Sequence, residues 1–345
     1  MSPPNLDRSG PQLFLVLLAL AGFLALVGGV SHLDATEGPQ PPSQVFPTAP
    51  TTPAPPLTGG LSAPAPLSSL ASDTSATARS SATGADLPGG GRRVFADGRF
   101  LVAYYGTAGT GALGVLGEAP PDQIWPRLVR AAAPFAKDGR TVQPVFELIV
   151  TVAHASPTPT GTYSSNISRA QVQRYIDAAH RHGALLVLDL QPGRANFLDV
   201  AKSWQWALRD PWVGLALDPE WRMGPNGVPG RRVGSVSAAE VNHVSAWLED
   251  LTAREGLPEK VFMVHQFRTD MIRHIERIRA RPDLALVQHV DGFGTPGQKL
   301  ATFHAVARPR QFKLGFKLFY DEDVHRMRPA QVLAIRPRVS FVSFQ

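Results

Sequence analysis

"VGLALDPEW", residues 213–221, sets an unbroken apolar run directly against two carboxylates, Asp218 and Glu220, one residue apart. A short apolar run without polar alternation is the pattern of a strand covered on both faces. Pro219, which has no N–H to give to a sheet, ends it. Seven other stretches have the same character: "FLVAYYG" (100–106), "VFELIVTVA" (145–153), "LLVLDL" (185–190), "VFMVHQF" (261–267), "LALVQHVDG" (284–292), "LGFKLFY" (314–320) and "VSFVSF" (339–344). Helical patterns separate them near 121–136, 169–182, 197–208, 238–255, 269–280, 297–306 and 323–334. Ser237 three residues before Glu240 has capping-box spacing, and Gly183 stands where a left-handed helix stop belongs.

Eight buried strands alternating with seven helices over about 250 residues predict an α/β chain folded as a (β/α)8 TIM-like barrel, here residues 92–345. A doubly wound open sheet is the alternative, because strand order is not written in one sequence. The chain stops at Gln345, directly after the eighth strand. The expectation is therefore that the segment preceding residue 100 covers the side where a last helix would lie.

The front of the chain differs in kind. Residues 13–30, "LFLVLLALAGFLALVGGV", are 18 uncharged apolar residues, long enough for a thin bilayer. Residues 1–31 thus read as a signal peptide or membrane anchor, with the rest of the chain extracytoplasmic, either tethered or secreted. Residues 32–91 are a low-complexity Pro/Ser/Thr-rich stretch, expected to be a disordered linker because it buries too little apolar area to offset ordering. The chain has no cysteine, so neither disulfides nor lipidation of a processed N-terminal Cys is available, and the core must be stable unaided. Residues 92–345 carry 32 basic and 23 acidic residues, a net of about +9. That charge suits a polyanionic envelope surface. No nucleic-acid-binding module occurs, the basic spots being scattered, and no protein partner is inferred.

In such a barrel the chemistry gathers at the carboxyl ends of the strands, and there the sequence is unusually polar. Glu147 lies within strand two, which ends near His154. Asp189 and Gln191 close strand three, Asp218 and Glu220 strand four, and His265 and Gln266 strand five. Gln288, His289 and Asp291 close strand six, and Tyr320 and Asp321 strand seven. Burying carboxylates without partners costs several kcal/mol, so a ring of them marks a wet, concave face. Residues i and i+2 of a strand share a side, which would point Asp218 and Glu220 together into the mouth. Two carboxyls that close do not both ionise readily, and one retains its proton near neutrality, as a general acid requires. Trp221, with Trp204, Trp206 and Trp212 nearby, offers flat faces for sugar rings. The glycine-rich "YYGTAGTGALGVLGE" (104–118) lacks a P-loop Lys and reads as a close-packed loop over the mouth, with Tyr104 or Tyr105 facing the pocket; Tyr104 is taken as the candidate.

With its Asp-x-Glu after the fourth strand, the chain resembles the retaining glycoside hydrolases of families 18 (chitinase-like) and 25 (lysozyme-like muramidases), "LALDPEW" being close to the muramidase form. The resemblance implies Glu220 as acid/base, with Asp218 positioning a substrate N-acetyl group that itself attacks the anomeric carbon. The chain departs from both patterns. Ala216 and Val213 stand where the chitinase motif has Asp, and strand one lacks the muramidase Asp. The implied activity is hydrolysis of a cell-envelope or extracellular polysaccharide, without cofactor or metal. Tyr104, Asp189, Gln191, Trp221, His265, Gln266, His289, Asp291 and Tyr320 are the candidate substrate-binding residues. Two alternatives stay open: a glycan-binding or scaffold barrel without turnover, and a hydrolase using a divalent metal held by His154, Asp189, His265, His289 and Asp291.

Overall fold

The computed structural model describes residues 85–345; the expected signal or anchor (13–30) and most of the linker lie outside the described residues. Eight strands form the wall: β1 (Phe100–Thr107), β2 (Val142–Ala153), β3 (Leu185–Leu190), β4 (Val213–Leu217), β5 (Lys260–Gln266), β6 (Leu284–Val290), β7 (Lys313–Leu318) and β8 (Val339–Phe344). Each pairs in parallel with the next, and β8 pairs back onto β1 through Leu101–Tyr104 and Phe341–Phe344. The sheet is therefore closed, a (β/α)8 barrel and not an open doubly wound sheet.

The outer layer holds α1 (Pro121–Ala132), α2 (Arg169–His182), α3 (Phe197–Ser203), α4 (Ala238–Arg254), α5 (Pro296–Val306) and α6 (Pro329–Leu333). Local chemistry sets their ends. Ser168 and Gln171 form a full capping box on α2, and Gly183 stops that helix at φ 69°. Ser237 caps α4 by accepting from Glu240 N at 3.2 Å. The Glu240 carboxylate does not reciprocate, because Arg222 (2.9 Å) and Phe197 N (2.9 Å) have claimed it.

The helix expected over 269–280 does not form. Met271, Ile272, Ile275 and Ile278 are all buried, and their spacing imitates a helical stripe. The backbone instead makes a two-residue parallel pairing, Ile272–Arg273 with Val236–Ser237, turns at His274 (φ 57°) and closes a single 3-10 turn. Asn242 on α4 supplies the partners that a helix would have found within itself, donating to Arg277 O (2.8 Å) and accepting from Arg279 N (2.9 Å). Tertiary hydrogen bonds thus override periodicity here. The expected helix over 323–334 is likewise reduced to α6.

The segment before β1 lies under the barrel and not along its side. Leu87 and Val94 join the barrel's interior cluster. Arg92 donates to Gly256 O (2.9 Å) and Leu257 O (2.7 Å), Val94 N donates to Glu259 (2.7 Å), and Trp212 Nε1 reaches Asp86 O (2.8 Å). These contacts tie it to the amino ends of β4 and β5. The β1–β8 seam is covered from outside by Phe135, which stacks on Phe100 at 5.2 Å and meets Phe344 edge-on at 6.3 Å. Phe135→Ala should lower stability by roughly 3–5 kcal/mol, read as a shift of the urea midpoint; an unchanged midpoint would remove Phe135 from this role.

Candidate functional site

Alternation along the strands builds the site. The interior cluster includes Ala103, Val145, Val187, Ala216, Met263, Val287 and Phe341. Two residues further along each strand, on the same side, stand Tyr105, Glu147, Asp189, Asp218, His265, His289 and Ser343. On β7, Gly315 precedes Lys317 in the same way. Every strand therefore contributes one polar side chain to a single upper layer, and all eight are buried. Asp291, just past β6, joins them.

The layer is knitted across the barrel. Tyr105 donates its phenol to Asp189 Oδ2 at 2.7 Å, while Gln191 Nε2 reaches the same phenolic oxygen at 3.4 Å. His265 Nδ1 meets Asp291 Oδ2 at 2.9 Å, and its Nε2 stands 3.1 Å from Glu147 Oε1. Lys317 Nζ lies 3.6 Å from the centre of the Tyr105 ring and 3.7 Å from Asp291 Oδ2. His289 Nε2 pairs with Ser343 Oγ at 2.7 Å. Gly315 makes room for that imidazole, since a Cβ there would collide with His289 Nδ1. Below the loops, Lys299 Nζ bonds Asp323 (2.9 Å), Gly292 O (2.7 Å) and Lys317 O (2.9 Å), fixing the turns after β6 and β7 to α5.

Burial and mutual charge shift the titration of the groups in this layer. Burial, helped by Glu147, lifts Asp189 to about 6 against the pull of His265, the Tyr105 hydrogen bond and Lys317. Asp218 is pushed well above the carboxylate range by burial and by Glu220 beside it. Burial and the Asp291 charge lift Glu220 to about 8; of these carboxyls, only Glu220 keeps a half-buried side chain that reaches solvent. For Asp291 burial acts upward, but the His265 hydrogen bond and Lys317 outweigh it and hold the carboxyl at about 2. Burial and Lys317 oppose charge on His265, yet Asp291 and Glu147 raise it well above its ordinary value. Burial, then His265 and Lys317, keep His289 neutral. Burial raises the Tyr105 phenol well above 10.

Several expected residues converge here: Asp218, Asp189, His265, His289 and Asp291 lie in the layer, with Gln191 alongside and Glu220 on the 3-10 turn Pro219–Trp221 that follows β4. That turn, and not a continuing strand, carries Glu220 to the mouth with half-buried Trp221 next to it. Others face away. Tyr104 points into the strand–helix layer, bonding Arg127 O (3.2 Å) and Tyr320 Oη (3.3 Å). Tyr320 is sandwiched between Phe344, stacked at 5.6 Å, and the Arg326 guanidinium at 4.2 Å. Gln266 sits on the outer side of β5, accepting from Gln288 (2.7 Å). His154 leaves the wall and bonds Ser165 (2.7 Å). Trp204 donates to Thr151 (3.0 Å) in the outer core, Arg169 covers Trp206, and Trp212 stacks on His180. None of these three tryptophans faces the layer. The glycine-rich loop packs against the end of β1, with the Gly114 backbone 2.7 Å from where a Gly106 Cβ would lie, and sends Val115 and Leu116 into the outer core.

Tyr105, Glu147, Lys317 and Ser343 complete the layer; Tyr105 was the alternative to Tyr104 and Glu147 was noted inside strand two without a role, while Lys317 and Ser343 were not singled out. Strand parity would have found them, since each lies two residues after an inward apolar residue or glycine. Glu147, His265 and His289 each bring one donor atom within 4.8 Å of the others, a grouping that could hold a metal ion.

No family model and no curated protein matches the chain. Among solved structures it is similar to a GH5-4 broad specificity endoglucanase from Bacteroides salanitronis, at 12% identity and a TM-score of 0.34, over 62% of this chain and 75% of that one. Among the described residues, no helix is long and apolar enough to cross a membrane.

The raised carboxyls make stability pH-dependent in a defined direction. A carboxyl with a folded pKa above its unfolded value binds its proton more tightly in the folded state, so its contribution is complete at low pH and is lost as pH rises. For Glu220 the loss runs from about pH 5 to about pH 8. Glu220→Gln should therefore gain thermal stability over the native chain progressively across that interval and no further above it. A constant difference across pH would contradict the assignment.

Proposed function

We propose that the chain is an exported glycosidase-like hydrolase acting on an envelope or extracellular polysaccharide, with Glu220 as general acid/base and Asp218 assisting. One observation carries the reading: Glu220, on the turn after β4, keeps part of its side chain at solvent while Asp218, two residues before it, is buried in the layer, and burial with the Asp291 charge raises the Glu220 carboxyl to about 8. A proton donor at working pH, with a second carboxyl beneath it, is what cleavage of a glycosidic bond demands. In the substrate-assisted form, Glu220 protonates the leaving oxygen as the bond to the anomeric carbon breaks. The acetamido oxygen of the same sugar closes on that carbon, and Asp218, buried in the free protein and uncovered as the sugar enters, orients the acetamido N–H. Water then attacks the anomeric carbon and returns a proton to the Glu220 carboxylate. No second enzymic nucleophile is used.

The apolar run at 13–30 supports export, and with it tethering or secretion through the Pro/Ser/Thr-rich stretch. The excess of basic residues suits a polyanionic envelope. A second reading, a glycan-binding barrel without turnover, draws on a separate observation: below Glu220 the polar layer is closed to solvent.

Reducing-sugar release from peptidoglycan, chitin oligomers and neutral glucans should show activity on one class, falling by roughly 10²–10⁴-fold in Glu220→Gln. The kcat of the native chain should decline as pH rises past about 8, where Glu220 loses its proton. Glycan binding without turnover, indifferent to Glu220→Gln, would select the second reading.

A further inference from the structure

The centre of the barrel holds an arrangement that glycosidic chemistry at Glu220 does not use. Glu147 on β2, His265 on β5 and His289 on β6 come from separate parts of the wall, are fully buried, and bring one donor atom each within 4.8 Å. His265 Nε2 and Glu147 Oε1 are 3.1 Å apart, yet neither atom has a hydrogen-bond partner, because the N–H direction misses the oxygen. Two atoms bound to one tetrahedral ion at 2.0–2.2 Å stand about 3.3 Å apart, close to this spacing, and they need no mutual alignment. The second Glu147 oxygen and His289 Nδ1 are also buried without partners.

The surroundings fit the same occupant. Each imidazole has its other nitrogen held, His265 Nδ1 by Asp291 (2.9 Å) and His289 Nε2 by Ser343 Oγ (2.7 Å). Such outer partners fix the ring orientation of metal-binding histidines. Metal binding at His265 Nε2 displaces the proton that the metal-free ring carries, since an imidazole nitrogen ligates only in its deprotonated form. Lys317 does not fill the place: its ammonium is directed to the Tyr105 ring and Asp291.

We infer that Glu147, His265 and His289 form a binding site for a divalent transition-metal ion inside the barrel. Two imidazoles and one carboxylate favour Zn²⁺, Fe²⁺ or Mn²⁺ over Ca²⁺ and Mg²⁺, which prefer oxygen-only shells. Three protein donors leave a coordination position for one enclosed water. The site shares no donor with the Asp218–Glu220 pair, so it stands or falls separately from the glycosidase reading.

The test uses the full chain, stripped with chelator and titrated with Co²⁺. The expected result is one equivalent bound, with visible d–d bands of low-coordinate cobalt displaced by Zn²⁺, and affinity at least 10-fold weaker in Glu147→Gln and in His289→Ala. Ser343→Ala, which leaves the donors in place, should weaken binding by roughly 10–100-fold while the chain stays folded by near-ultraviolet circular dichroism. If the donor variants fail to fold, X-ray absorption on the native cobalt form decides, two imidazoles and one carboxylate being expected. No stoichiometric binding, or a shell lacking imidazole, overturns the inference. Hydrolysis that depends on Glu220 but persists in chelator, with no metal bound, overturns the metal site and leaves the glycosidase reading standing. Stoichiometric metal without hydrolysis does the reverse.

Discussion

A closed barrel allows each strand one inward side chain per level, and the upper level of this barrel is filled with groups that carry charge. Burying several ions without compensation costs several kcal/mol for each. The layer therefore has to balance itself from within. His265 answers Asp291 and Glu147, Lys317 answers Asp291 while lying on Tyr105, and Asp189 takes the Tyr105 proton donor. What is left over is met by retained protons on Asp218 and Glu220. The acid/base chemistry proposed for Glu220 would rest on that imbalance, because a carboxyl keeps its proton only where its neighbours make ionisation expensive.

The rest of the fold serves this layer by keeping it buried and in register. Leu87 and Val94 join the interior below it, and Phe135 closes the β1–β8 seam from outside. The Lys299–Asp323 pair anchors the turns that bring Asp291 and Lys317 to their places. Gly315 shows how local sequence and the layer depend on each other. A residue that would weaken a strand elsewhere is here the space into which the His289 imidazole fits.

The fold was largely legible in the chain. Eight apolar runs appear as eight strands within a residue or three of their expected ends, and Gly183 and Ser168 end α2 by purely local rules. The site was legible in part. Asp218 and Glu220 stand out because Pro219 breaks the strand between them, and Asp189, His265, His289 and Asp291 because they are polar at the ends of apolar runs. Tyr104 was preferred to Tyr105, and Glu147, Lys317 and Ser343 were passed over, because within a strand buried on both faces an inward and an outward residue have the same apolar neighbours.

By itself, then, the sequence determined the number and order of the wall strands and the residues that punctuate them, since hydrogen-bond capping, proline and apolar continuity act over a few residues. The tertiary structure decided three things. It decided that the sheet closes, because pairing of β8 with β1 is a contact between chain segments more than 200 residues apart. It decided that 269–280 is not a helix, because Asn242 meets its backbone from another element. And it decided which polar residues share the layer, because the side that a strand residue faces is set by the register of the closed barrel and not by its own neighbours.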